Sequence, residues 1–402
     1  MNDLSPRAPD VPARGIFSAV LVLTVARTSV NMARRFTYAF VPEIARALGV
    51  PISSVQNAIT LQSSASILSP TVGGLSERFG RKYVMMAALA AISVLGLVGA
   101  AAPVYGVFLA MMAGFGLSKM LFDPAALAYM GDRVPYHRRS AAIGVSELSW
   151  GAALLIAAPL TGLLLERATL GHVFLALSLA SVIGLAVTFW FLPGDRPKGD
   201  VVGTVSLRSI LRAVSASPAA MGAIGYAGLN SAANEMIFIN YGAFMEQSFG
   251  LALSALGIVT IAISVAEAIG EGAVAGFGDR MGPKRLAMMG AALAAVCYGI
   301  FPLFGSGLNI AIGGIFLMFL GYEIAVVAAI PMYTELLPMA RASMMAAVIG
   351  AVAVGRVVGG LSGAMLFNNF GTTVNALVAC GVMLLGMVLM WRKVQVTVER
   401  EA

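Results

Sequence analysis

Glu267 and Glu271 lie one helical turn apart inside an apolar run, and they are the first residues from which chemistry can be expected. Two carboxylates on one helical face in a low-dielectric setting do not easily ionise together, so one is expected to hold a proton near working pH. Such a group suits coupling to a proton gradient. The residues 202 positions earlier are Ala65 and Ser69, so internal symmetry does not demand acids there. Asp123, Glu147, Glu235 and Glu323 are the other acids inside apolar runs, Glu43 and Glu335 sitting near run ends, and Arg27, Arg34, Arg35, Lys119 and Arg356 are the bases. Arg27, Asn31 and Arg34 share a helical face, which suggests a site for an anionic group. Arg35 lies about 100° around the helix from Arg34 and is expected to serve a different neighbour. Lys119 and Asp123 are four apart and can pair within one helix. Asn230 and Asn234 form a polar stripe with Tyr241 on roughly the same side, and Glu235 points away from it. At least one of Glu147, Glu267, Glu271 and Glu323 is expected to couple protons. The competing expectation is that Glu267 or Glu271 is a structural partner of Arg356 or Arg27.

Other chemistries find no residues to carry them. His137 and His172 fall in short loops, and no HExxH, Cys/His cluster or Walker loop is present. Cys297 and Cys380 sit in separate apolar runs and read as packing residues. No nucleophile, base and metal set converges, so neither an enzyme nor a cofactor is expected. The proton gradient is the expected driving force.

The elements that must position these charges follow from composition. Of 402 residues, 59% are hydrophobic and 11% are charged, against roughly 25% charged in a soluble domain. Mean hydropathy is +0.88. These values indicate an all-α integral membrane protein and disfavour a soluble enzyme, a nucleic-acid binder or a disulfide scaffold. Apolar runs of about 20 residues suffice to cross a bilayer. Twelve are found, near 16–45, 52–74, 83–102, 105–130, 141–165, 170–193, 217–245, 252–275, 286–304, 308–333, 342–366 and 371–391. The polar segment 194–216 reads as a cytoplasmic linker between a six-helix half over 1–193 and another over 217–402. The polar N-terminus does not read as a signal peptide.

Orientation follows from the basic residues. With the N-terminus inside, nineteen of the 26 Lys and Arg fall in cytoplasmic segments, while Arg46 and Arg167 alone fall outside. That asymmetry places both termini in the cytoplasm. It also accounts for the net charge of +7 without a polyanionic partner.

The two halves repeat. Glu77-Arg78-Phe79-Gly80 and Asp279-Arg280-Met281-Gly282 are 202 residues apart, and so are Arg139 and Arg341. Parallel six-helix repeats are a transporter architecture with its site between the halves. Gly73-Gly74-Leu75-Ser76-Glu77-Arg78-Phe79-Gly80-Arg81-Lys82 resembles the G-x-L-a-D-R-x-G-R-K loop signature of the major facilitator superfamily, with Glu77 where Asp is usual. The second half holds a degraded copy around Asp279 and Arg280, with Pro283 at the first basic position. The resemblance implies a twelve-helix transporter in which Gly73, Glu77, Arg78, Gly80, Arg81, Asp279 and Arg280 form a cytoplasmic gate. It implies that spans 1, 4, 7 and 10 line the cavity and that spans 3, 6, 9 and 12 are peripheral. Those four peripheral spans carry no Asp, Glu, Lys or Arg. A charge facing lipid costs at least about 2.5–3.5 kcal/mol, so the others are expected to pair inside the bundle.

Ala158-Pro159-Leu160-Thr161-Gly162-Leu163 is similar in part to the G-P-x-x-G-G run of drug/proton antiporters, while span 4 lacks the Arg those proteins often carry. Gly355, Gly359 and Gly363 form a small-residue face on span 11, expected to pack closely. The reading is a monomeric secondary transporter of the inner (plasma) membrane, moving a small organic or amphipathic solute, with proton-coupled export as its direction. Proton-coupled uptake of an organic anion or sugar is one alternative. A lipid or glycolipid flippase is another, and a non-transporting sensor is a third. The expected partners are a small-molecule substrate and the lipid bilayer.

Overall fold

The computed structural model describes residues 13–68, 75–76, 78–195, 212, 214–215, 217–337 and 341–394. Among these the secondary structure is helical throughout, with no strand. The apolar runs account for this, because a chain in hydrocarbon must satisfy its backbone polar groups within itself.

Spans 3 to 6 are single helices, Arg81–Ala101, Tyr105–Arg133, Tyr136–Arg167 and Leu170–Phe191. Span 2 begins as Ile52–Ser64, and the rest of that run lies mostly outside the described residues. Spans 11 and 12 run as Arg341–Lys393, turned at Gly371. Gly371 has φ of +80°, a backbone region that a side chain would strain.

Four runs expected to be continuous are broken. Span 1 is Ala13–Arg35 followed, after a short turn, by Val41–Leu48. Span 7 is Pro218–Phe238 followed by Tyr241–Phe249. Span 8 divides into Leu253–Val259 and Ile261–Met281, and span 10 into Leu308–Val327 and Ala329–Leu336. Span 9 is Pro283–Gly299 with a 3-10 extension, Phe301–Ser306. The span 7 break has a visible cause. The amides of Asn240 and Asn375 both donate to the Met236 carbonyl at 2.8 Å, while the Asn240 backbone N–H turns to Ile237. Side chains thus satisfy the backbone groups that the helix gives up.

The 202-residue repeat extends to atomic detail. Gly80 and Gly282 start spans 3 and 9 with φ of +89° and +82°. Two residues later, Lys82 donates to the carbonyls of Phe189 and Leu192, and Lys284 donates to those of Trp391 and Val394. Each ammonium caps the end of its half's last span, where helix carbonyls lack partners.

Spans 6 and 12 turn large apolar side chains outward, with Trp190 75% and Trp391 68% exposed. This is the surface a lipid-facing helix presents. The span 11 glycines pack as expected. A Cβ on Gly355, Gly359 or Gly363 would strike the backbone of Gly228, Ala232 or Met236 on span 7.

Candidate functional site

Span 1 is the spine of the charge network, and each of its polar residues finds a different neighbour. Arg27 pairs with Glu147 at 2.7 Å and with Asp123 at 3.2 Å, and it donates to the Ser146 carbonyl at 3.3 Å. Lys119 pairs with Asp123 at 2.7 Å, as its helical spacing predicts, and also donates to Asn31 Oδ1 at 2.6 Å. Asn31 in turn donates to Ser149 at 3.1 Å. Two cations and two carboxylates thus balance within the first half. The shared face of Arg27, Asn31 and Arg34 is not one anion site, because Arg27 is already neutralised. Arg34 turns to span 2, donating to Gln62 at 2.8 Å and Ser63 at 2.7 Å.

Arg35 crosses to the other half. Its two terminal nitrogens reach Glu267 at 2.6 and 2.8 Å, and one also donates to the Trp150 carbonyl at 3.0 Å. The two side chains are 1% and 2% exposed. A bidentate fork is the strongest geometry such a pair can take. Glu267 therefore pairs with neither Arg356 nor Arg27. The sequence expectation missed this because the pairing depends on how the two halves meet.

Further contacts between the halves lie beyond this pair, toward the end opposite the basic loops. Tyr38 stacks on Phe238 with ring centres 4.1 Å apart and donates to Glu235 at 2.7 Å. Glu235 does point away from the asparagine stripe, as expected. Gln56 donates to Asn240 at 2.6 Å and accepts from Asn368 at 2.9 Å. Arg46 bridges Glu43 and Glu246 at the rim. Glu166 accepts from the Ser254 N–H at 2.8 Å. A Cβ on Gly162 or Gly257 would strike the Leu253 or Ala158 carbonyl across the seam.

Glu271 and Glu323 have no hydrogen bond or ion pair of these kinds among the described residues, and Arg356 has a hydrogen bond with Tyr322 in place of an ion pair. Glu271 lies in the field of Glu147, Glu267 and Arg27, and Glu323 in that of Glu267, Glu271, Glu147 and Arg35. Glu323 is 7% exposed, and its side chain packs where a Cβ on Gly270 would sit. Arg356 is half-buried beside Tyr322 and within the field of Glu235 and Tyr38. Its guanidinium lies 5.4 Å from the centre of the Trp150 ring. Arg35, at 4.4 Å, and Lys119, at 5.4 Å, approach the same ring. Three cations from three helices therefore surround one indole, an arrangement the negative ring face favours.

Asn230 and Asn234 are not drawn into this cluster. They follow Tyr226 at helical spacing, and the Tyr226 hydroxyl points to the carbonyls of Ala287 and Ala325 on spans 9 and 10. Both Asn side-chain oxygens are buried without a partner. Tyr241 instead bonds Thr260 at 3.0 Å.

Of the gate residues, Gly73 and Glu77 lie outside the described residues, as does the side chain of Asp279. Arg78 sits over the neighbouring Phe79 ring, and Arg280 is exposed. Arg81 binds Asp132 and the Ala128 carbonyl, while Asp195 accepts the backbone N–H groups of Arg81 and Lys82. These contacts stay within the first half and the start of the segment after it. Asp195 caps the start of span 3, where unsatisfied N–H groups favour an anion.

Trp150, Tyr38, Tyr322, Asp132 and Asp195 are functional candidates that residue-by-residue reading passed over. Trp150 had one usable signal: it is among only three tryptophans and follows Glu147 by three positions.

The comparisons agree with this architecture. The Major Facilitator Superfamily description matches residues 23–234 and 223–401. A stretch of 120 residues is 28% identical to the uncharacterized MFS-type transporter YwfA of Bacillus subtilis (strain 168), covering 30% of this chain and 29% of that protein. The chain thus spans less than a third of the length of that curated relative. A D-xylose-proton symporter is similar in structure, with TM-score 0.77 and 16% identity over 94% of this chain and 98% of that one. The human organic anion transporter MFSD10 (TETRAN) has TM-score 0.68 and 18% identity over 94% of this chain and all of that one. A bacterial homologue of the human lysosomal transporter Spinster, solved inward-facing and unoccupied, has TM-score 0.68 and 13% identity over 95% of this chain and 96% of that one. At these identities the structures share the fold. With both repeats matched over nearly the whole chain, the protein belongs to the Major Facilitator Superfamily and is a multi-pass membrane protein.

Proposed function

We propose that the protein is a proton-coupled transporter that takes up a small organic anion. One observation carries this reading: the seam holds both acids without a cation and arginines without a carboxylate. Glu271 and Glu323 have no ion-pair partner among the described residues, and neither do Arg34 and Arg356. An uncompensated buried charge is expensive, so each of these groups invites a mobile partner. For the acids that partner is a proton. For the arginines it is an anionic solute.

The charge balance supports joint binding. The seam carries five cations, Arg27, Arg34, Arg35, Lys119 and Arg356, and six anions, Asp123, Glu147, Glu235, Glu267, Glu271 and Glu323. With protons on Glu271 and Glu323, one positive charge remains, and a single negative charge on the solute neutralises it. The loaded seam is then uncharged and can pass between its two openings at lowest cost. We assign the basic face to the cytoplasm of the inner membrane, with both termini there. The loop around Arg81 is proposed as the gate on that face, and the monomer as the working unit.

Export of an amphipathic solute against protons is the second reading. It is favoured by Pro159 and Gly162, whose segment packs directly against Leu253 and Gly257 across the seam.

The test uses the full chain in proteoliposomes with a trapped pH dye. Organic anions added outside should carry protons inward, and Glu271→Gln and Glu323→Gln should stop that flux while leaving solute exchange. Anion movement with no proton flux would sink the coupling. Proton entry driven by solute leaving the vesicles would establish export.

A further inference from the structure

We infer that the solute is a planar aromatic monocarboxylate, its carboxylate held by Arg356 and its ring laid against Trp150. This rests on the organic-anion reading above and names the class within it. Arg35 and Lys119 approach the Trp150 ring already committed to Glu267 and Asp123. Arg356 approaches it with a hydrogen bond to Tyr322 but no carboxylate at ion-pair distance among the described residues, so it is the cation of the three left to take an anionic ligand. It reaches over from span 11 of the second half, while Trp150 belongs to span 5 of the first. A ligand gripping both would therefore bridge the halves.

The neighbouring aromatic side chains argue for a flat ring. Tyr38 and Phe238 stack in parallel beside the site, Phe319 meets Phe238 edge-on with centres 5.0 Å apart, and Tyr322 lies beside Arg356. Arg34 sits 5.6 Å from the Tyr38 ring, so a second uncompensated positive charge backs the same aromatic group. Aromatic surfaces prefer offset or edge-on aromatic neighbours, and a guanidinium accepts a carboxylate through two parallel N–H groups. A sugar acid would bring hydroxyls. The buried acceptors suited to those, Asn230 and Asn234, share a face with Tyr226, whose hydroxyl points to spans 9 and 10. A dicarboxylate would bring a second charge that the seam, one positive charge in excess when protonated, does not match.

The test is thermal unfolding of the full-length protein in detergent with benzoate, cyclohexanecarboxylate, gluconate and succinate. Only a ligand of the folded state raises the transition. Benzoate should raise it at about tenfold lower concentration than the other three, the difference expected of one ring-stacking contact. Arg356→Gln and Trp150→Leu should each weaken benzoate at least about tenfold, while Trp150→Phe, which keeps a ring, should retain most of the effect. Trp190→Phe, on the outer surface, should change nothing. Should Arg356→Gln fail to fold, Arg356→Lys keeps the charge and removes the fork, and weakened benzoate binding is still expected. Stabilisation by gluconate or succinate alone would overturn the aromatic class and leave the organic-anion reading standing. No response to any of the four would count against both. A benzoate response indifferent to Arg356 and Trp150 would place its site elsewhere.

Discussion

The two halves are built alike and charged unlike. The glycines that start spans 3 and 9 and the lysines that cap spans 6 and 12 repeat at one offset, atom for atom. In the seam, the first half carries four bases and two acids, and the second carries one base and four acids. In the first half, Arg27, Lys119, Asp123 and Glu147 balance one another locally. In the second, no acid is neutralised by the half's own arginine at ion-pair distance among the described residues. The repeated features hold the scaffold, and those that break the repeat hold the chemistry. Opposite net charge across the seam also means that the halves attract, with Arg35 and Glu267 as a fully buried ion pair that joins them.

The comparison breaks most severely at that union. Arg35→Ala should leave Glu267 buried and alone, costing about 3–5 kcal/mol. Thermal unfolding should show a large fall and transport should vanish. Arg35→Met combined with Glu267→Met should recover much of the stability, because the cost of isolated charge is removed from both sides, and transport should stay lost. A single Arg35→Ala variant that unfolds like the parent would deny the pair any structural weight.

The balanced network of the first half should tolerate more. Asp123→Asn leaves Arg27 paired with Glu147 and strips Lys119 of its carboxylate, so a loss of about 1–3 kcal/mol is expected. Lys119→Met with Asp123→Leu should restore stability, and a double variant worse than the single one would show that the network works as a unit. By contrast, Glu271→Gln should leave the unfolding temperature unchanged or raise it, since it removes a charge that has no cation partner. Its effect should appear in proton flux alone. If Glu271→Gln destabilises the protein as Asp123→Asn does, the contrast between the halves collapses.

The smallest effect belongs to the rim. Arg46 is 53% exposed on its side chain and bridges Glu43 and Glu246. Arg46→Ala should cost at most about 1 kcal/mol, and less at high salt, because water and ions screen exposed pairs. A large, salt-insensitive loss would mean that the rim is as dry as the seam.

Some of the site was legible before any coordinates. The Lys119–Asp123 pair followed from a spacing of four, and Arg35 was expected to leave the face of Arg34. The turn of Glu235 away from the asparagine stripe was expected as well. The partner of Glu267 was not legible, because Arg35 lies 232 residues away and no periodicity links them. Arg27 read as available for an anion because its partners sit on other helices. The breaks in spans 1 and 7 were also hidden, since an apolar run looks the same whether its helix continues or lets Asn240 take over a carbonyl.

Composition and period by themselves determined the membrane, the twelve spans, the repeat and the residues that could carry charge across it. Those properties are local or additive, as hydropathy sums over a window and helical spacing fixes a face. Only the tertiary structure decided which charges cancel and which remain. Cancellation is a property of distances between helices, and among eleven ionisable groups one shift of a helix face turns a paired arginine into a free one. The assignment of Arg356 and Trp150 to a common site, and of Glu271 and Glu323 to the uncompensated acids, rests on that packing.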